Sequence, residues 1–370
     1  SRADEIANLA GQLDEELQDD AVDLGDIVTD ATDNDAPVVK LLQKIFEEAI
    51  STKASDIHIE PDESVLRIRQ RIDGVLVEQV MNEKRISTAL VVRLKLLSNL
   101  DISEKRLPQD GRFNLKLQNH NIDVRLSTMP VQFGESVVMR ILDQTEGIRP
   151  LTEVGMPENY ISRFRSLINR PHGLVLVTGP TGSGKTTTLY GALTELNTPE
   201  RKIITVEDPV EYRLPRISQV QVHDKIGLDF SKVLRATLRQ DPDVLLVGEI
   251  RDAESAEIAL RAAMTGHMVL STLHTNDAVT SALRLVDMGV DPYLVASSLR
   301  AIVAQRLVRK ICDSCSEPYE LSDSEKNLVE SLLPNFKDGH NFRKGAGCPH
   351  CFNSGYRGRV GVFELLEING

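Results

Sequence analysis

A glycine-rich segment at residues 179–186 has the sequence Gly-Pro-Thr-Gly-Ser-Gly-Lys-Thr, which matches the pattern G-x-x-x-x-G-K-[ST]. It lies between an apolar run typical of a strand and a stretch typical of a helix. In that setting the glycines let backbone N–H groups curve around phosphates, the lysine reaches the β- and γ-phosphates, and the threonine hydroxyl binds Mg²⁺. A chance glycine-rich turn is the alternative. The pattern predicts a site for ATP and Mg²⁺ formed by Gly179, Pro180, Thr181, Gly182, Ser183, Gly184, Lys185, Thr186 and Thr187.

Carboxylates follow two further apolar runs. Glu249 ends the run that begins at residue 245, and Glu207, Asp208 and Glu211 follow the run that begins at residue 203. The carboxyl ends of parallel strands meet at one edge of a sheet, so these acids are predicted to lie beside the glycine-rich turn. Glu249 is then placed to hold Mg²⁺ through water. A solvated Asp-Pro turn is the alternative for the other three acids, which repel one another unless a cation or donor relieves them.

Two histidines flank the apolar run 268–273. We expect both His267 and His274 near the nucleotide edge of the sheet, where an imidazole can sense the γ-phosphate or hydrogen-bond a neighbouring loop. A structural role for either histidine stays open, because a lone histidine is more often structural than functional.

Four cysteines form two C-x-x-C pairs, with 32 residues between the pairs. Paired knuckles of this kind suit a tetrahedral site with four thiolate ligands, so a structural zinc site is predicted. A pair of disulfides or reduced buried cysteines are the alternatives. Four thiolates leave no open coordination position, so no catalytic role is expected. The predicted ligands are Cys312, Cys315, Cys348 and Cys351.

The elements around these residues predict two domains. Residues 1–36 hold twelve acids and one base and are expected to form a linker with a short helix near residues 6–17. Residues 37–146 combine two helical patterns with alternating strands, an α+β domain. From residue 147 apolar strands alternate with helices, which predicts an α/β domain with a parallel sheet over 147–370, including a zinc module at 312–351.

Composition narrows the classes of function. The net charge of −12 comes almost wholly from residues 1–36, so the rest of the chain is nearly neutral and lacks the basic excess of many nucleic-acid binders. No apolar run is long enough to cross a bilayer, and the first residues contain no signal peptide. The chain does not begin with Met, which favours a fragment of a longer protein.

Two arginines lie on strands of the predicted α+β domain. The apolar alternation around residue 122 turns Arg125 off the core face, and Arg140 shares a strand face with Val138 and Leu142. We therefore expect Arg140 to be half-buried or in a subunit contact. An ordinary surface arginine is the default for both residues.

Four motifs together resemble the type II secretion and type IV pilus assembly ATPases. They are the glycine-rich segment, the segment Val-Glu-Asp-Pro-Val-Glu, the segment Leu-Leu-Val-Gly-Glu-Ile-Arg-Asp and the segment Thr-Gly-His-Met-Val-Leu-Ser-Thr-Leu-His-Thr-Asn. Their order matches the family's Walker A, Asp box, Walker B and His box, and the likeness covers residues 37–370. The module with four cysteines resembles that of the assembly or secretion branch of the family. The sequence of residues 252–277 is similar to that of the MSHA-type pilus assembly ATPases.

The resemblance implies a fold and several residue roles. Residues 37–146 correspond to the family's second N-terminal domain, which is PAS-like, and 147–370 to its RecA-like motor domain. Among the implied catalytic groups, which include Lys185 and His274, Glu211 positions the attacking water and Glu249 holds Mg²⁺. Arg125 and Arg140 align with arginines that reach the nucleotide from the N-terminal domain.

The resemblance also implies partners and a location. It implies a homo-hexamer in the cytoplasm, peripheral to the inner membrane, that works with the membrane platform and cytoplasmic assembly proteins of a pilus or secretion machine. In the MSHA-type branch a further N-terminal domain, outside this chain, binds cyclic di-GMP. No nucleic-acid partner is expected, although a RecA-like nucleic-acid motor is the alternative that ATPase stimulation by DNA would revive. A scaffold that binds ATP without hydrolysing it is a further alternative. The full set of acids predicted around the glycine-rich segment (the P-loop) argues against it.

Overall fold

The computed structural model describes residues 22–23, 36–82, 84–145, 148–333, 336 and 341–368. It divides into two compact units, Ser1–Gly147 and Ile148–Gly370. The predicted acidic linker and its helix at residues 6–17 lie almost wholly outside the described residues. Among the described residues, no helix is both long and apolar enough to span a membrane.

The first unit is a seven-stranded sheet with two helices, α1 (Ala36–Ser51) and α2 (Ile86–Leu97). The strands lie in the order β1-β5-β6-β7-β2-β3-β4. All neighbours are antiparallel except β1 and β5. The strands are β1 (Val22–Asp23), β2 (Asp56–Pro61), β3 (Leu66–Ile72), β4 (Val75–Met81), β5 (Gln109–Leu117), β6 (His120–Val131) and β7 (Gly134–Asp143).

Side-chain alternation explains how this sheet forms. Ile57 and Ile59 are fully buried, whereas His58 and Glu60 between and after them are partly exposed. The buried face packs against apolar side chains of both helices, Phe46 and Leu90 among them. One face therefore carries the core and the other carries the polar side chains, as the period of two predicts.

The second unit is a seven-stranded sheet in the order β10-β9-β11-β12-β8-β13-β16, parallel except for β16. These strands are β8 (Gly173–Thr178), β9 (Ile203–Glu207), β10 (Ser218–Gln221), β11 (Val244–Val247), β12 (Met268–Leu273), β13 (Leu299–Ile311) and β16 (Tyr356–Glu367). Helices flank the sheet: α3 (Glu158–Ile168), α4 (Lys185–Leu196), α5 (Phe230–Thr237), α6 (Ala253–Met264), α7 (Ala278–Asp287) and α8 (Pro292–Ser298). The predicted α/β fold is confirmed.

The central strands are continuous apolar runs because both of their faces are covered. Every residue of β8, β9, β11 and β12 is buried, and two apolar clusters lie on the two sides of the sheet. In register, Leu273 pairs with Thr178, and Met268 pairs with Gly173. The carboxyl ends of these strands consequently meet at one edge, and residues 179 and 274 leave the sheet side by side.

A small excursion separates the two long antiparallel strands β13 and β16. It contains β14 (Ser316–Pro318), α9 (Asp323–Leu332) and β15 (Arg343–Gly345), and β14 pairs with β15. The helix begins at a capping box, in which the Ser322 hydroxyl accepts from the Glu325 N–H and the Glu325 carboxylate accepts from the Ser322 N–H. The excursion spans the gap between the two cysteine pairs, as predicted.

Candidate active site

The glycine-rich loop connects β8 to α4, and its backbone conformation requires glycine at two positions above all. Gly179 has φ +154°, and a Cβ there would lie 2.4 Å from the carbonyl oxygen of Gln305. Gly184 has φ +85° in the left-handed region and caps the N-terminus of α4. The loop therefore turns tightly into a helix N-terminus, where backbone N–H groups and the helix dipole favour a bound phosphate.

Lys185 lies at the start of that helix with its side chain buried. Its Nζ donates to the carbonyl oxygens of Gly179 at 2.7 Å and Pro180 at 3.3 Å, and it lies 3.1 Å from Nδ1 of His274. Burial lowers the pKa of Lys185, an effect that the nearby Glu249 carboxylate opposes. The ammonium group is thus held at the loop by Gly179, which follows β8, and by His274, which follows β12.

A chain of hydrogen bonds continues from this lysine across the edge of the sheet. Nε2 of His274 lies 3.2 Å from Oε2 of Glu249, and the Arg251 guanidinium donates to the other oxygen of Glu249. Arg251 also donates to Oδ2 of Asp208 at 3.0 Å. The structure thereby brings Lys185, His274, Glu249 and Asp208 together, each from a different one of the four motifs.

Arg251 was not assigned a role from the sequence, although it lies only two residues after Glu249. Burial lowers the pKa of Arg251, but its bonds to the carboxylates of Glu249 and Asp208 outweigh burial and raise it. Its charge offsets the repulsion between two acids that face the same edge.

Oxygen ligands for Mg²⁺ are present at this edge of the sheet. The Thr186 side chain is exposed directly after Lys185, and the half-buried Glu249 follows β11, the second strand from β8, and contacts His274. A hydroxyl and a carboxylate are ligands that Mg²⁺ prefers, so the donor set fits this ion. Thr187 is half-buried in the same first turn of α4.

Glu207 ends β9 at the predicted edge of the sheet, but its side chain is buried. Its side chain is only 4% exposed, and Oε1 accepts a hydrogen bond from the Tyr190 hydroxyl. Oε2 accepts from Thr205 at 2.6 Å and from Gln219 at 3.4 Å. Burial raises the pKa of Glu207, while these donors act in the opposite direction. The prediction that Glu207 contacts the nucleotide is therefore corrected: its carboxylate is committed to the interior.

His267 is also misplaced by the sequence prediction. It precedes β12, its carbonyl accepts from Gly173 at the beginning of β8, and its Nδ1 lies 3.0 Å from the carbonyl of Ala262. The six residues of β12 separate it from His274, so the two histidines are seven residue steps apart, about 23 Å at ~3.3 Å per residue. Within this unit the two histidines lie at opposite edges of the sheet, so the predicted placement of His267 beside the nucleotide is wrong.

Gln305 is a buried neighbour of the loop that the sequence prediction missed. Its Nε2 donates to the Ser183 carbonyl at 2.7 Å, and its Oε1 accepts from the Thr188 hydroxyl at 2.6 Å. It thus ties the loop and α4 to β13. The sequence does show a glutamine directly after the apolar residues of β13. A buried polar side chain in that position needs a hydrogen-bond partner, and this could have drawn attention to Gln305.

Arg125 and Arg140 lie opposite each other on β6 and β7 of the first unit. Nε of Arg140 lies 3.3 Å from Oδ1 of Asp56, and Nη2 of Arg125 lies 3.9 Å from Oδ2 of Asp123. The Arg140 side chain is 63% exposed, so the half-buried alternative is wrong, and the alternative of a subunit contact stays a prediction. The reason is that the buried face of β7 carries the odd-numbered residues from 137 to 141.

The four cysteine sulfurs form one cluster, all within 4.8 Å of one another. Sγ atoms lie 3.8 Å apart for Cys312 and Cys348, 3.8 Å for Cys315 and Cys351, and 3.7 Å for Cys348 and Cys351. Four ligands about 2.3 Å from a central ion in a tetrahedron lie about 3.8 Å apart. The cysteines are free thiols, and their spacing fits a tetrahedral zinc ion rather than the predicted alternative of disulfides.

The model of the family described as type II/IV secretion system protein matches residues 31–370. The chain belongs to this family. It is 51% identical over 338 residues to the type II secretion system ATPase E of Vibrio cholerae, covering 91% of this chain and 67% of that protein. It is 48% identical over 366 residues to the type IV pilus assembly ATPase PilB of Myxococcus xanthus, covering 95% of this chain and 64% of that protein.

Among solved structures, the chain resembles the pilus retraction motor PilT with bound ADP. The TM-score is 0.60 at 29% sequence identity, over 89% of this chain and 83% of that one. The predicted membership in the secretion and pilus ATPase family is confirmed, as is the P-loop ATPase class of the fold. The chain spans about two thirds of the length of each of these two relatives.

Proposed function

We propose that the chain is a motor subunit that hydrolyses Mg-ATP to power assembly of a type IV pilus or of a type II secretion pseudopilus, with extension of an MSHA-type pilus as its specific task. The observation that carries the proposal is the chain of hydrogen bonds from Lys185 through His274, Glu249 and Arg251 to Asp208. It places a cation, an imidazole and two acids at the mouth of a phosphate-binding loop.

Each group has a distinct task in phosphoryl transfer to water. Lys185 and the N–H groups of residues 179–186 stabilise negative charge on the phosphates. Thr186 and Glu249 would hold Mg²⁺, which would supply further positive charge there. Glu211 follows Asp208 on the segment after β9 and orients the attacking water. His274 contacts both Lys185 and Glu249, and so holds the lysine and the acid in a fixed relation.

Arg125 and Arg140 act on the nucleotide from the first unit when the two units close on each other. The two guanidiniums lie opposite each other on adjacent strands of that sheet. The Arg140 side chain is 63% exposed and pairs with Asp56, a partner that it would exchange for the phosphates. Such a contact stabilises the transition state only in the closed arrangement. Hydrolysis is thereby coupled to domain motion, which is how the subunit moves a partner.

The cysteine cluster binds structural zinc. Bound zinc would hold together the end of β13 and the segment that leads into β16, through thiolates at both ends of the excursion. The ion stabilises this module and takes no part in hydrolysis, because four protein ligands fill its coordination shell.

The subunit works as a homo-hexamer at the cytoplasmic face of the inner membrane. Its partners are the membrane platform and the cytoplasmic assembly proteins, with cyclic di-GMP as a further ligand. The named relatives act in secretion and pilus assembly, which supports this assignment.

ATP turnover by the full chain, with Mg²⁺ and with excess EDTA, tests the proposal. We expect Mg²⁺-dependent hydrolysis that DNA does not stimulate at low salt, and a hexamer by light scattering with a non-hydrolysable ATP analogue. Stimulation by DNA would favour a nucleic-acid motor instead, and binding without turnover would favour a nucleotide-gated scaffold.

A further inference from the structure

Tyr190 lies on α4, five residues after Lys185, and is fully buried. Its hydroxyl donates to Oε1 of Glu207 and accepts from the backbone N–H of Glu211 at 3.3 Å. One hydroxyl therefore joins three parts of the site: the phosphate-binding helix, the end of β9 and the segment that carries Glu211.

The partners of this hydroxyl are themselves held in place. The other oxygen of Glu207 accepts from Thr205 and Gln219. Burial and the neighbouring carboxylate raise the pKa of Tyr190, so the phenol keeps the proton that it donates to Glu207. A buried polar cluster in which every member has partners is rigid, because removing any one of them leaves another unsatisfied.

Gln219 extends this control to the residues that follow Glu211. Its Nε2 donates to the Tyr212 carbonyl at 2.7 Å, and its Oε1 accepts from the Leu214 N–H at 2.7 Å. Residues 210–214 belong to no helix or strand. The backbone around Glu211 is therefore fixed by side chains from α4 and β10 rather than by regular secondary structure.

We propose that Tyr190, Glu207 and Gln219 form a positioning cluster that fixes the Glu211 backbone relative to the phosphate-binding helix and thereby sets the rate of hydrolysis. The inference rests on the proposed role of Glu211. None of the three needs to contact the nucleotide. Their effect falls on turnover, because a displacement of about 1 Å in a catalytic group can cost about a hundredfold in rate while substrate affinity is kept.

The test compares kcat with the affinity for a non-hydrolysable ATP analogue in the full chain. Tyr190→Phe keeps the ring and its edge contact with Tyr212 but removes the hydroxyl. We expect kcat to fall by roughly ten- to a hundredfold, with analogue affinity changed by less than about twofold. Tyr160→Phe, which removes a hydroxyl from a half-buried tyrosine on α3, is the matched control and should keep the wild-type kcat. Gln219→Met loosens the same segment from the other side and should repeat the pattern.

A double variant separates this inference from the role of Glu211. If both act on one step, adding Tyr190→Phe to Glu211→Gln lowers kcat no further. If the kcat of the double variant falls by the product of the two single losses, the two changes act independently, and the proposal that the cluster acts through Glu211 is overturned. If Glu211→Gln is inactive while Tyr190→Phe and Gln219→Met are folded and fully active, the cluster is merely structural and the role of Glu211 survives. Normal turnover of Glu211→Gln overturns both. Should Tyr190→Phe fail to fold, as judged by thermal unfolding, Gln219→Met decides the matter.

Discussion

His274 and Lys185 are direct neighbours, with 3.1 Å between Nδ1 of the imidazole and Nζ of the lysine. His274 directly follows β12 and Lys185 begins α4, and they meet because the carboxyl ends of β8 and β12 leave the sheet in register. The second imidazole nitrogen faces Glu249. A single histidine therefore sets the distance between the phosphate-binding lysine and the acid assigned to Mg²⁺.

Glu211→Gln should retain nucleotide binding and lose most turnover. The amide keeps the shape of the side chain but neither accepts a proton nor orients water by charge, so we expect a loss of roughly a hundredfold or more in kcat. Glu249→Gln should lose turnover and also need more Mg²⁺ to reach half of its maximal rate. Magnesium titrations of the steady-state rate distinguish the two variants. Wild-type turnover in Glu211→Gln would assign the water to another group.

Gln305→Met should weaken nucleotide binding more than it lowers kcat. The substitution keeps side-chain length but leaves the Ser183 carbonyl and the Thr188 hydroxyl without their partner, a cost of about 1–3 kcal/mol each when buried. The loop then loses its anchor on β13. We expect about a tenfold weaker affinity for a non-hydrolysable ATP analogue, measured by calorimetry. An unchanged affinity together with a lowered melting temperature would limit Gln305 to folding.

The parts of the site that depend on local residue patterns could be predicted from the sequence. The loop at 179–186 and the buried strands could be identified because glycine positions and apolar runs are local patterns. Gln305 and Tyr190 could not be assigned, since their partners lie 122 residues away in one case and inside the core in the other. His267 was misplaced because two residues that flank one strand cannot both lie at its carboxyl end.

Arg125→Ala and Arg140→Ala should lower turnover by about a hundredfold or more, with a smaller loss of nucleotide affinity. The reason is that a guanidinium that meets the phosphates only in a closed arrangement stabilises the transition state more than the bound substrate. Arg67→Ala is the matched control, because Arg67 is a surface arginine of the same sheet that pairs with Asp62 and Glu78. Equal, mild effects of all three substitutions would reduce Arg125 and Arg140 to ordinary surface residues.

The purified protein should contain about one zinc per chain, bound by the four thiolates. Chelation or Cys312→Ser should destabilise residues 312–351, seen as faster hydrogen exchange there, while nucleotide binding at the glycine-rich loop is largely kept. Elemental analysis measures the metal directly. A metal-free protein with four freely titratable thiols would contradict the zinc assignment.

The central claim is that the loop at 179–186 binds ATP for hydrolysis, and Lys185→Ala tests it most directly. The lysine supplies phosphate charge, and its loss removes one long side chain from the loop without disturbing the apolar core. We expect steady-state ATP hydrolysis to fall by roughly a hundred- to a thousandfold in a protein whose circular dichroism and thermal unfolding match the wild type. Hydrolysis at the wild-type rate in a preparation free of contaminating ATPases would contradict the account.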